Sequence, residues 1–158
     1  MNWKTWKPYV ISAAIALAVG LLSGFLSMEG MRLYEEMAIK PPLTPPGWVF
    51  SVVWTILYAL MGISAARIWL APESKDRSRG LNLYVVQLVV NFFWSLLFFN
   101  AQAYGLAALW LILLWILVLL MILEFSKVDK LAAWLQIPYL IWLTFAAYLN
   151  LSVWFLNR

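Results

Sequence analysis

The sequence predicts an all-α integral membrane protein, a bundle of five transmembrane helices. Three observations lead there. Of the 158 residues, 65% are hydrophobic, 17% aromatic and only 11% charged, whereas soluble domains have about 45–50% apolar and about 25% charged residues. Five apolar runs follow one another along the chain, each close to the about 20 residues that one membrane-spanning helix needs. The runs are continuously apolar and do not alternate with period two, which argues against a membrane β-barrel.

The whole chain, 1–158, reads as a single membrane domain. The first span is placed at 8–27. Lys4 and Lys7 precede it as in a secretory signal, but the apolar run exceeds the about 7–15 residues of a signal core. Ser12, Ala16, Gly20 and Gly24 put a small residue at every fourth position, a ridge that allows close helix approach within one chain or between two. Residues 28–47 read as a long loop. They hold Tyr34, five charged residues and four of the seven prolines, Pro41, Pro42, Pro45 and Pro46. Proline density resists regular helix, and loops of this length are usually functional or disordered.

The second span, 48–70, sets Trp54, Tyr58 and Met61 on one face. A charged turn at 71–80 leads to the third span, 81–100, where Gln87, Asn91, Trp94 and Phe98 recur at helical spacing. The short connections 101–104 and 126–130 flank the fourth span, 105–125, and imply antiparallel neighbours. The fifth span, 131–155, carries Trp142, Ala146 and Asn150 on one face. It also contains Pro138, expected to kink or widen the helix.

The chain contains no cysteine and no histidine. A thiolate nucleophile, a disulfide frame, a Ser-His-Asp triad and the usual metal ligands are excluded, and no metal site is expected. No Asp, Glu, Lys or Arg lies near the centre of a span, which argues against an ion path. The net charge of +4 is not read as a nucleic-acid signal. Eight of the Lys and Arg residues fall with the N-terminus and the 71–80 and 126–130 connections, against three on the other side. The positive-inside rule then predicts a bacterial plasma membrane protein with its N-terminus inside and loop 28–47 and the C-terminus outside.

Eleven tryptophans are the strongest compositional feature. Trp3, Trp6, Trp48, Trp69, Trp134 and Trp154 fall near span ends and read as interfacial anchors. Trp54, Trp94, Trp110, Trp115 and Trp142 lie deeper, where an indole N–H wants a protein partner. The mid-membrane amides Gln87, Asn91 and Asn150 serve either as interhelical glue or as pocket lining. With Tyr34 and the prolines above them, these residues outline an aromatic, mostly apolar cavity under loop 28–47. Such walls suit a large, flat ligand that can stack, such as a porphyrin or a sterol.

The stretch LYEEMAIKPPLTPPGWVFSVVWTILYALMG at 33–62 resembles the signature of the tryptophan-rich sensory protein/translocator protein (TspO/MBR) family. QLVVNFFWSLLFF at 87–99 and WLQIPYLIWLTFAAYLNLSVWFLN at 134–157 are similar to that family's third and fifth spans. The resemblance implies a five-helix membrane protein, often dimeric, that binds porphyrins, sterols and isoquinoline- or benzodiazepine-type compounds beneath the first loop. It implies ligand contacts at Tyr34, Trp54, Asn91, Trp142 and Ala146, with Gln87 and Trp94 nearby. The spacing argument adds Tyr58 and Asn150.

By the same resemblance, an alternative activity is light- and oxygen-dependent porphyrin breakdown with Trp54 and Trp142 as the catalytic indoles. No resident cofactor is implied; porphyrin would be ligand or substrate. Expected partners are a tetrapyrrole or other apolar small molecule, membrane lipid and a second copy of the chain. Leu33 and Leu43 stand where the family pattern has tryptophan. The Tyr-to-Lys/Arg sterol pattern is absent from the end of the fifth span, which ranks tetrapyrroles above sterols.

Overall fold

Backbone groups inside a bilayer have no water to bond, so apolar runs of this length satisfy themselves as helices. The computed structural model describes residues 2–158, and among these the regular structure is entirely helical. In chain order the helices are α1 (Trp3–Leu26), α2 (Met28–Met37), α3 (Gly47–Trp69), α4 (Lys75–Ser95), α5 (Tyr104–Val128) and α6 (Lys130–Leu156). A single π-helical turn, Leu96–Asn100, extends α4. α1, α3, α4 with its π turn, α5 and α6 have 23 to 27 residues each and are long and apolar enough to cross a membrane. The protein is an all-α integral membrane protein of five such helices.

Three features differ from the sequence reading. First, residues 28–47 are not all loop, because Met28–Met37 forms α2. The prolines begin only at Pro41, and the preceding decapeptide carries its own helical ion pairs. Arg32 reaches Glu36 at 2.9 Å and also pairs with Glu29, the i,i+3 and i,i+4 spacings that stabilise a helix surface. Second, α4 starts six residues before the expected 81. Ser74 caps it, its hydroxyl accepting from the Arg77 N–H at 3.1 Å, and Asp76 lies in the first turn. The cap and the acidic residue favour the N-terminus, and hydropathy alone does not register them. Third, α6 is α-helical through Pro138, with no widened turn there. The widened turn lies instead at 96–100, where the Ala101 N–H bonds back to the Leu96 carbonyl at 2.9 Å.

The helices pack as a ring in the order α1, α3, α6, α5, α4, with α4 returning to α1. Leu57, Met61, Leu111, Leu114, Val118, Met121, Phe125 and Leu143 fill its centre. Large apolar side chains such as Leu109, Leu120 and Ile141 face outward, as lipid contact requires. The middle of the small-residue ridge of α1 packs inside the chain, whereas a Cβ at Gly24 would meet nothing. Ala16 is fully buried, and a Cβ at Gly20 would run into the Tyr58 ring of α3. At one end of the bundle Arg67 pairs with Asp129 at 2.8 Å, and the Ser64 hydroxyl donates to the Ala132 carbonyl at 2.7 Å. At the other end lie α2 and the proline strap. α2 sits directly on the π turn, since a Cβ at Gly30 would strike the Phe99 backbone.

Candidate functional site

The sequence-predicted residues fall into two adjoining groups between α3, α4 and α6. The first is built on a buried hydrogen-bond chain. The Tyr58 hydroxyl donates to Asn91 Oδ1 at 2.8 Å, Asn91 Nδ2 donates to the Tyr139 oxygen at 2.5 Å, and the Tyr139 hydroxyl donates to Gln87 Oε1 at 2.8 Å. The remaining Gln87 amide hydrogens face only the Met61 sulfur, at 3.9 Å. All four polar residues are buried. Amides and phenols in hydrocarbon are tolerated only when paired, so this chain ties α3, α4 and α6 together.

An aromatic group stands on that floor. Trp54 packs on Tyr58 at 5.6 Å between ring centroids and meets Tyr139 edge-on at 6.2 Å. Trp54 and Trp142 are perpendicular, 6.4 Å apart. Trp142 also meets Phe50 at 5.6 Å and Phe145 at 5.5 Å. Its indole Nε1 is buried and has no protein acceptor. Three of the other four deep indoles, all but Trp54, find an acceptor as expected of buried donors. Trp94 donates to Asn150 at 3.0 Å, Trp110 to the Val90 carbonyl at 2.7 Å and Trp115 to Thr144 at 2.9 Å. Trp142 is thus a buried indole donor without a protein partner. Ala146, one turn above it and also buried, keeps that side of α6 low.

The second group gathers under α2. Trp94 stacks on Phe98 at 5.1 Å, and Phe98 touches both Tyr34 at 5.3 Å and Tyr104 at 5.0 Å. Asn150 accepts from Trp94 and donates to the Tyr104 carbonyl at 2.8 Å. Tyr34 therefore does not join Trp54 and Trp142. It lies on the π turn, with Phe99 at 5.5 Å and the Lys40 ammonium 5.4 Å from its ring centre. Burial, with help from nearby Glu35, pushes its phenol up to about 12. The Tyr34 hydroxyl stays protonated throughout the physiological range.

Three further aromatic residues belong to the first group and were not singled out from sequence: Tyr139, Phe50 and Phe145. Tyr139 precedes Trp142 by three residues, so the i,i+3 rule places it on the same face. Phe50 lies one turn before Trp54 and was reachable by the same rule. Gln136 is also wholly buried on this face of α6, and neither its amide nitrogen nor its oxygen has a protein partner.

The proline strap closes over this end. The Tyr148 hydroxyl donates to the Pro42 carbonyl at 3.1 Å. Asn157 holds Ile39 in both directions, accepting from its N–H at 2.9 Å and donating to its carbonyl at 2.8 Å.

Residues 12–155 match the profile of the TspO/MBR family. The chain belongs to this family. Among relatives, it is 44% identical to "Protein CrtK" of Rhodobacter capsulatus over 158 residues, covering 99% of this chain and 95% of that protein. It is 36% identical to "Tryptophan-rich protein TspO" of Chlorobaculum tepidum over 144 residues, covering 90% and 91% of the two chains. The human "Translocator protein" is 34% identical over 154 residues, covering 96% and 89%. Family members thus carry translocator and sensory names, and a membrane sensory or transport role is supported for this chain at that level.

Proposed function

We propose that this protein binds tetrapyrroles, and related flat apolar ligands such as sterols and isoquinoline- or benzodiazepine-type compounds, between α3, α4 and α6 beneath the proline strap. The observation that carries the reading is the buried Trp142 indole N–H without a protein acceptor, set among Phe50, Trp54 and Phe145. Aromatic walls supply stacking area, and one free donor supplies orientation. A porphyrin offers both a π face and carboxylate acceptors. The protein would use such binding to sense or move its ligand across or within the membrane. The excess of Lys and Arg at the Arg67–Asp129 end supports that end as cytoplasmic and the strap as external.

The test is a protoporphyrin IX titration in the dark, read by tryptophan quenching, with wild type and Trp142→Leu. Saturable quenching that weakens at least about tenfold in the variant supports the reading, since loss of a hydrogen bond plus ring contact is worth about 1.4 kcal/mol or more. Equal binding by the two proteins would refute it.

A second reading has its own support in the perpendicular Trp54–Trp142 pair at 6.4 Å. Two adjoining indoles can donate an electron to a photoexcited porphyrin, with dioxygen as the terminal oxidant. Illuminating the same samples tests it. A protein-dependent product that disappears in Trp54→Phe/Trp142→Phe while binding persists would favour turnover. Bleaching at the rate of free porphyrin would remove that reading.

A further inference from the structure

The end of the bundle away from the strap carries a groove that the α3–α4–α6 site does not use. α1 and α6 both pack against α3, and the space left between them has a volume of about 690 Å³. Tyr9 and Val10 of α1 and Leu131 and Leu135 of α6 line its sides, and Ile63 and Arg67 of α3 form its floor. Val10 and Leu131 are exposed, so the groove is open to the surrounding lipid. Along α1 its lining runs from Thr5 to Ala13, about 12 Å at the rise of an α-helix. One leaflet supplies about 15 Å of hydrocarbon. The groove is therefore as deep as most of one leaflet.

Its polar groups gather at the mouth. The Arg67 Nε donates to Asp129 Oδ2 at 2.9 Å, and Nη2 lies 2.8 Å from the same oxygen. The Arg67 Nη1 and the Tyr9 hydroxyl make no hydrogen bond among the described residues. Side chains on a helix lean toward its N-terminus, and the Tyr9 ring meets that of Trp6 one turn earlier, at 6.3 Å. The phenol is thus directed toward the membrane surface. Asp129 is the acidic group here, and both its oxygens are committed. Oδ2 faces Arg67, and Oδ1 accepts from the Leu131 and Ala132 N–H groups at 2.9 and 3.2 Å. Lys4 and Lys130 are exposed, each one residue before the groove begins on its helix.

We infer that the α1–α3–α6 groove is a binding site for an anionic glycerophospholipid, with the lipid phosphate at Arg67 and Tyr9 and an acyl chain along Val10, Ile63 and Leu135. Charge decides the occupant. A sterol or a bare hydrocarbon would fill the apolar walls and leave the guanidinium and the phenol unused. A phosphodiester accepts from both, and its bond to arginine is charge-assisted. Basic pockets between spans are the usual seats of anionic headgroups. A zwitterionic lipid has the same phosphate but brings its own cation, which Lys4 and Lys130 disfavour. This site lies at the opposite end from the strap and does not depend on the tetrapyrrole reading.

The test is native mass spectrometry of the detergent-solubilised protein, titrated with palmitoyl-oleoyl phosphatidylglycerol or with the phosphatidylcholine of the same chains. Wild type should hold one phosphatidylglycerol at least about tenfold more tightly than phosphatidylcholine. Val10→Trp fills the groove from an exposed position and leaves Arg67 in place; it should abolish that preference. Tyr9→Phe should weaken phosphatidylglycerol binding by about two- to tenfold, the share of one hydrogen bond, and Arg67→Met should weaken it more. Lys75→Gln removes a charge at the same end of the bundle but outside the groove, and binding should not change. Thermal unfolding of the same samples without lipid confirms that each variant is folded. Equal retention of the two lipids by wild type would overturn the headgroup assignment. A preference that survives in Val10→Trp, or that falls as far in Lys75→Gln as in Arg67→Met, would overturn the groove as its seat and leave only diffuse surface charge.

Discussion

Tyr139 and Tyr58 occupy unequal places in one hydrogen-bond chain, and removing each hydroxyl should show it. Tyr139→Phe keeps the ring but strands two buried groups, Asn91 Nδ2 and Gln87 Oε1, which lie at 2.5 and 2.8 Å from the hydroxyl. Tyr58→Phe strands only Asn91 Oδ1, at 2.8 Å. In soluble proteins a stranded buried group costs about 1–3 kcal/mol, while hydrogen bonds measured inside membranes average about 0.6 kcal/mol. Taking about 1 kcal/mol per stranded group between these figures, Tyr139→Phe should cost about 2 kcal/mol and Tyr58→Phe about 1 kcal/mol. For a chain of this length, those values lower the unfolding midpoint by about 4–8 °C and about 2–4 °C respectively. The assay is thermal unfolding in nanodiscs at one scan rate, followed by intrinsic tryptophan fluorescence. Equal midpoints for the two variants, or a larger loss in Tyr58→Phe, would refute the idea that Tyr139 is the central link.

Two other substitutions test the packing around the site. Gln136 buries an amide with no protein partner, so Gln136→Met, close in volume and apolar, should raise the midpoint by a few degrees, about 1 kcal/mol or more; a lower midpoint would mean the amide is satisfied in the native protein. Asp129 both pairs with Arg67 and caps α6 by accepting from the Leu131 and Ala132 N–H groups at 2.9 and 3.2 Å. Asp129→Ala should therefore cost about 1 kcal/mol more than Arg67→Met, and equal costs in the same melting assay would show that the cap contributes nothing.

Much of this architecture is written in hydropathy, because the bilayer enforces it. The five long helices follow from five apolar runs, and the rule that deep indoles need acceptors anticipated the partners of Trp94, Trp110 and Trp115. Helical spacing brought Trp54, Tyr58, Gln87, Asn91 and Trp142 to one place, since each lies on a face set by its own helix. Tyr34 was not legible in this way. Its neighbours, Phe98 and Phe99, reach it only because a π turn re-aims them, and LLFFN carries no local mark of that turn. α2 was missed because the prolines dominated the reading of 28–47, although the Glu29–Arg32–Glu36 spacing was present. The early start of α4 was missed because a charged first turn looks like a loop until its Ser74 cap is considered. Asn157 lay beyond the last apolar run, where periodicity says nothing about what a side chain meets.

The ring order α1, α3, α6, α5, α4 has a consequence for biogenesis. α3 and α4 emerge from the ribosome before α6, yet Asn91 and Gln87 find their common partner, Tyr139, only on that last helix. Until α6 inserts, a nascent chain with four spans in the bilayer exposes an incomplete amide–phenol cluster to lipid or to whatever factor shields it. Trp142, Ala146, Asn150 and the Asn157 contact with the strap arrive in the same final step. Insertion of α6 is therefore the step that pairs those buried amides and completes the packing of α3 and α4.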